Sequence, residues 1–314
     1  MKKLFLIVLL VFTNAFFAQS NFSIDTSYTE KNVYTKLITK YPFITIAQKQ
    51  NDKAITQIND IIYSQNQNRA LHLDAFFNKN KKTNPAVILI HGGGWRSGNK
   101  KQMHILAEQI ALKGYSCFPV EYKLSLEAKY PEGVIDVKNA IKFIKDNAEK
   151  FYVDPDKIAV LGCSSGGQMA ALIGTTNENP DFEEVTFKSK STSKVQAIIN
   201  IDGILAFKHP ESSEGKMAAF WLNGSYEEKP EIWKSASALN HTDKNTPPVL
   251  FINSSIKRFH AGRDDMITIL NQNKIYNEVH TIKDSSHSFW FFQPWLHETV
   301  LYTTGFLDKI FKIN

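Results

Sequence analysis

The chain is poor in cysteine, with only Cys117 and Cys163 in 314 residues. At most one disulfide is available, so a hydrophobic core and not a disulfide framework must hold the fold. Both residues read as small buried thiols, and no metal site is expected. A block of like charge is also missing. The formal charge is +6, and Lys2 and Lys3 supply two of those charges, which leaves no basic patch suited to nucleic acid. Internal repeats and low-complexity tracts are absent. One apolar run stands apart from the rest, "LFLIVLLVFTNAFFA". It follows the two lysines, is short for a bilayer span, and leads to the small residues Ala18 and Ser20. Residues 1–20 therefore read as a secretory signal peptide, with a short membrane anchor as the alternative. No cysteine follows that run, so a lipoprotein anchor is not indicated. Cleavage there would give an exported protein, periplasmic or extracellular, of charge about +4 and without a stable membrane anchor.

Residues 21–58 are polar and weakly patterned, and nothing is assigned to them. From residue 59 onward strands and helices alternate. "ALHLDAFF" alternates apolar and polar residues as a half-buried antiparallel strand does. "AVILIHGGG", "YSCFPVEY", "KIAVLG", "VQAIINID", "PPVLFIN" and "NEVHTI" read as further strands. Between them "MHILAEQIALKG", "GVIDVKNAIKFIKDNAEKF" and "GQMAALIG" have helical spacing, and "HETVLYTTGFLDKIF" closes the chain as a helix. This alternation predicts one α/β domain over residues 59–314, with a mostly parallel sheet and its ligands at the carboxyl ends of the strands. The stretch "HPESSEGKMAAFWLNGSYEEKPEIWKSASAL" reads as a small cap inserted over the site.

The chemistry centres on "AVLGCSSGGQMAAL". A strand precedes Ser164 and a helix follows it, which is the setting of a nucleophile on a sharp strand-to-helix turn. Gly162 and Gly166 would let strand and helix close around that turn. Upstream, "HGGGW" ends a buried strand. Its glycines can turn amides toward a developing oxyanion, so Gly93 and Gly94, with the amide of Ser165, are the candidate oxyanion donors. The general base should follow the last strand, and His287 in "DSSHSFW" has that position.

The third member is less plain. An acid is expected a few residues beyond "PPVLFIN", but the chain there reads "SSIKRFHAGRDDM" and has no carboxylate near Ile256 or Lys257. Asp264 and Asp265 come later, where they would fall in the first turn of a helix and serve as capping acids. Asp202 instead ends the strand "VQAIINID". A carboxylate at an apolar strand end needs a polar partner. Asp202 is the first choice for the acid, with Asp264 the alternative and Asp265 a further one. Trp221 and Trp290 are candidates for stacking on a sugar ring or an aromatic acyl group.

"HGGGW", "GCSSGG" and "DSSHSFW", together with "RALHLDAFF", "VEYKLS", "YPEGVIDVKNAIKFIKDN" and "DPDKIAVLGCSSGG", resemble the α/β-hydrolase superfamily. They are most similar to its bacterial feruloyl-esterase-like and acetyl-xylan-esterase-like branch, over about residues 61–307. The resemblance implies a cofactor-free serine esterase acting on acetyl or feruloyl esters of plant polysaccharides. A serine peptidase on the same fold and a catalytically inactive carbohydrate-binding protein are the alternatives. The chain lacks an evident propeller domain or a marked acidic pair for a peptide amine, which ranks the peptidase below the esterase.

Overall fold

The run "NPAVILI", Asn84–Ile90, is apolar after its first residue and buried throughout. Such a strand has helices on both sides, and each large side chain removed from water there contributes about 1.5–3 kcal/mol. It lies in the middle of an eight-stranded sheet in the computed structural model, which describes residues 25–66, 69–79, 83–213 and 215–313. The expected signal peptide lies outside the described residues. No described helix is long and apolar enough to cross a membrane.

In chain order the strands are β1 (Thr45–Ile46), β2 (Thr56–Gln65), β3 (Ala70–Phe77), β4 (Asn84–Ile90), β5 (Ser116–Val120), β6 (Val153–Cys163), β7 (Ala197–Ile201), β8 (Val249–Asn253), β9 (Asn277–Thr281) and β10 (Phe292–Gln293). The α-helices are α1 (Glu30–Leu37), α2 (His104–Leu112), α3 (Glu132–Asp146), α4 (Ser165–Thr175), α5 (Gly215–Trp221), α6 (Pro230–Ser235), α7 (Arg263–Gln272) and α8 (Trp295–Phe311). The large sheet runs β2-β3-β5-β4-β6-β7-β8-β9. Pairing is antiparallel from β2 through β3 to β5 and parallel across the remaining strands. The alternation of strands and helices predicts this mostly parallel α/β sheet, and its arrangement is the α/β-hydrolase fold that the resemblance implies.

Two apolar cores flank the sheet. The α3 and α4 side gathers Val137, Ile141 and Met169 with the inner residues of the cap. The α2 and α8 side gathers Ile110, Leu296 and Phe306. Cys117 and Cys163 are buried free thiols in the second core. Burial lifts both well above the ordinary thiol range, so neither offers a thiolate near neutral pH.

Of the stretch unassigned from sequence, residues 25–55 fold as a strap across the second core and the rest begins β2. Thr29 caps α1 by accepting from the Asn32 amide. Tyr41, Ile44 and Ala47 are buried against Trp295 and its neighbours. β1 pairs antiparallel with β10, Thr45 opposite Gln293 and Ile46 opposite Phe292. The Ala47 N–H then donates to the Phe291 carbonyl at 2.9 Å. A two-residue strand carries almost no alternation, which is why the sequence gives no sign of it.

Candidate active site

Ser164 stands between the end of β6 and the start of α4 with φ 56° and ψ −123°. This conformation is costly for a side chain bearing a Cβ, and it persists only where the surroundings over-determine it. Its N–H donates to the Ile201 carbonyl at 2.8 Å, and its carbonyl accepts from the Gln168 N–H at 3.0 Å. A Cβ on Gly162 would overlap the Gly166 carbonyl, and one on Gly166 would overlap the Ile90 carbonyl. Strand, turn and helix can approach this closely only with glycine at both positions.

His287 lies in the loop after β9, as its place in the chain implies. Its Nε2 is 2.8 Å from Ser164 Oγ and its Nδ1 is 2.8 Å from Asp202 Oδ2. Asp202 follows directly on β7, is fully buried in its side chain, and accepts the Ser254 N–H at its other oxygen (2.8 Å). The partner required by a carboxylate at an apolar strand end is therefore present twice over. With Asp on Nδ1, the imidazole holds its proton there and turns a lone pair toward the serine hydroxyl. Such a hydroxyl can lose its proton as it attacks an electrophilic carbon.

The other two acids are elsewhere. Asp264 and Asp265 occupy the first turn of α7. Asp264 is exposed and bound by Arg263, and Asp265 is exposed and bound by His209 at 2.9 Å. Neither reaches His287.

The cavity over Ser164 has a volume of about 240 Å³, and Gly94, Trp95, Ser165, Met217, Arg258 and Phe259 are among its lining residues. Gly94 and Ser165 thus share the cavity with the serine. Gly93 does not line it. Gly93 lies behind, at φ 124°, with its carbonyl accepting from Ser97 N–H and Oγ at 3.0 Å. Burial pushes His91, at the head of the same loop, down to about 4. That imidazole is neutral at ordinary pH and packs on Tyr122. Trp95 fixes the loop to the elbow helix: its Nε1–H donates to Gln168 Oε1 (2.9 Å), and Gln168 Nε2 donates to the Ala236 carbonyl beneath the cap (2.8 Å).

The two expected stacking residues are corrected by the structure. Trp221 is 2% exposed, lies parallel to Trp95 at 4.9 Å and edge-on to Tyr130. Trp290 is 3% exposed and edge-on to the His287 ring at 5.2 Å. Neither lines the cavity, because a large ring in an insertion buries itself first. Trp221→Ala is expected to cost about 3–5 kcal/mol of unfolding free energy in denaturant titrations, the usual penalty for emptying an aromatic site in a core.

The ring that does face the site is Phe259, stacked on His287 at 3.5 Å and 12°. It lies in the loop after β8, where an acid is expected. Sequence reasoning passed over it because a phenylalanine between Arg258 and His260 carries no motif. The cap is present as two short helices, α5 and α6, with Met217 of α5 placed over Gly94. Behind the histidine, the Tyr28 hydroxyl is 2.8 Å from the Ser288 hydroxyl, so the strap buttresses the loop that carries His287.

The family model BD-FAE matches residues 73–277, more than half of the chain. Esterase LipC of Mycobacterium tuberculosis is 30% identical over 205 residues, which cover 63% of this chain and 49% of the relative. The probable carboxylic ester hydrolase LipM of the same organism is 29% identical over 222 residues, covering 68% and 49%. The chain spans about half the length of these curated relatives. Among solved structures, a truncated carbohydrate esterase from gut microbiota superposes with a TM-score of 0.70 at 21% identity, covering 82% of this chain and 99% of that one. An acetyl ester-xyloside bifunctional hydrolase from Caldicellulosiruptor lactoaceticus gives 0.69 at 20% identity, covering 81% and 97%. These likenesses concern the fold. Together with the matched residues, from β3 into β9, they place this chain in the BD-FAE family of α/β-hydrolases.

Proposed function

We propose that the protein is a serine carboxylic ester hydrolase, exported from the cell, that removes acetyl or feruloyl groups from plant polysaccharides or their oligosaccharides. The observation that carries the reading is the unbroken hydrogen-bonded series Ser164–His287–Asp202 opening on a cavity. His287 Nε2 takes the hydroxyl proton as Ser164 Oγ bonds to the acyl carbon. The carbonyl oxygen gains charge and is held by the amides of Gly94 and Ser165, with Gly93 shaping the loop behind them. His287 returns the proton to the departing alcohol oxygen, leaving an acyl-serine. A water then gives its proton to the same nitrogen, and its oxygen attacks the acyl carbon. Collapse releases the carboxylic acid and restores the serine. Asp202 keeps the imidazole in its required tautomer and balances the charge it acquires.

The polysaccharide substrate is supported by family membership and by the carbohydrate esterases among the structural neighbours. Export is supported by the lysine pair and apolar run of residues 1–20. No cofactor enters the scheme.

A fluorophosphonate is expected to add its phosphonyl mass to the tryptic peptide that contains Ser164. An unmodified Ser164 after prolonged exposure would reject the reading. Release of acetate or ferulate from acetylated xylan and arabinoxylan then separates the two acyl groups.

A further inference from the structure

The cavity that holds Ser164 also holds a guanidinium. Arg258 lines it beside Phe259, is exposed, and reaches across to Ser213 of the cap, donating through Nη1 to Oγ at 3.2 Å. Its guanidinium carbon stands 4.2 Å from the centre of the Phe259 ring, which is itself stacked on His287. Among the described residues no carboxylate pairs with it. The neighbouring arginine differs: Arg263 is neutralised by Asp264 and bound to Asn253. Asp202, the one carboxylate among the described residues that line this cavity, is engaged by His287 and by the Ser254 amide.

Ser213 also lines a second cavity, of about 510 Å³, under the cap. Lys208 there pairs with Glu227, and His209 with Asp265. Lys216 has no such partner among the described residues. Tyr226 and Trp233 supply aromatic surface to the same cavity. Ser213 thus lines both cavities, and among the described residues each holds one cation that no carboxylate pairs.

The direction of the reaction tells which half of an ester meets Arg258. His287 Nε2 must face the oxygen that departs, so the alcohol leaves on the imidazole side. Phe259 covers that imidazole, and Arg258 covers Phe259. The guanidinium therefore stands on the alcohol side of the nucleophile and not on the acyl side. A planar fork of donors that is always charged selects a carboxylate over a neutral group.

We propose that Arg258 is a specificity-determining residue that binds a carboxylate carried by the alcohol half of the ester, so that the preferred substrates are acyl esters of acidic, uronate-bearing sugar chains. The chain continues into the cavity under the cap, where Lys216 adds charge and Tyr226 adds ring surface. The proposal rests on Ser164 as the nucleophile.

The test compares 3-acetoxybenzoate with 3-acetoxybenzamide, which share acyl group and leaving oxygen and differ in one charge. Each kcat/KM is normalised to the rate with hydroxide. The full chain is expected to favour the anion by about tenfold. That preference should fall toward one as salt rises from about 0.02 M to about 0.5 M, collapse in Arg258→Gln, and survive in part in Arg258→Lys. A ratio near one at low salt in the unaltered protein, or a ratio unchanged in Arg258→Gln, overturns the proposal. Should Arg258→Gln fail to fold, the salt dependence of the unaltered protein decides alone. Hydrolysis of neither ester above the level of Ser164→Ala would instead overturn the serine reading, and this proposal with it.

Discussion

Ser164→Ala is expected to lower kcat for 4-nitrophenyl acetate by about 10⁶-fold, with the far-ultraviolet circular dichroism unchanged. The elbow depends on the backbone at this position and on the glycines around it. The N–H to Ile201 and the carbonyl from Gln168 hold the turn, and alanine supplies both. The Cβ already tolerates φ 56° in the native chain, so the replacement adds no strain, and the melting temperature should stay within about 3 °C. What vanishes is the oxygen placed 2.8 Å from His287 Nε2. Water could then attack only from solution, without the acyl-serine stage. An alanine variant with activity within about tenfold of the parent would remove Ser164 from the mechanism.

Asp202→Asn should cost about 10⁴-fold in kcat. Asparagine has the same shape and can still accept the Ser254 N–H through its carbonyl oxygen, so the loop after β8 keeps its anchor. Its NH₂ group now faces His287 Nδ1 as a donor. The imidazole must accept there and carry its proton on Nε2, the nitrogen that has to receive the serine proton. The fault is one of tautomer and charge, with the geometry intact. Asp264→Asn and Asp265→Asn serve as controls. Their carboxylates are exposed and bind Arg263 and His209, and each change should move kcat by less than about twofold. If Asp264→Asn proved the damaging replacement, the acid would belong to α7 and not to the end of β7.

The contrast between these aspartates shows what could be read from the sequence. The central strands are buried on both faces, so β4, β7 and β8 appear as apolar runs broken only by Asn84, Asn200 and Asn253. Ser164 follows directly on the end of β6 and His287 lies in the loop after β9, both beside small residues, where position along the chain nearly dictates position in space. Asp202 was distinguished from Asp264 by a physical argument about burial, and the structure places it against His287. Side chains whose surroundings are built from distant segments were harder. Trp221 looked available for stacking because it sits in an insertion, yet Trp95 and Tyr130 close over it. Arg258 and Phe259 carry no motif, and their contacts with Ser213 and His287 come from other segments of the chain. The strap was invisible because its contacts with β10 and the His287 loop belong to residues more than two hundred positions away.

That pairing of Thr45 with Gln293 orders events while the protein is being made. The segment holding Thr45 emerges early and has no partner until the stretch beyond His287 has been synthesised. The serine and the aspartate are likewise in place on the nascent chain before the histidine exists. Contacts so distant in sequence form slowly, because a large loop must close first. The protein cannot therefore mature piecemeal. Until the last segments arrive, the polypeptide carries Ser164 with no base to activate it, which keeps it silent through synthesis.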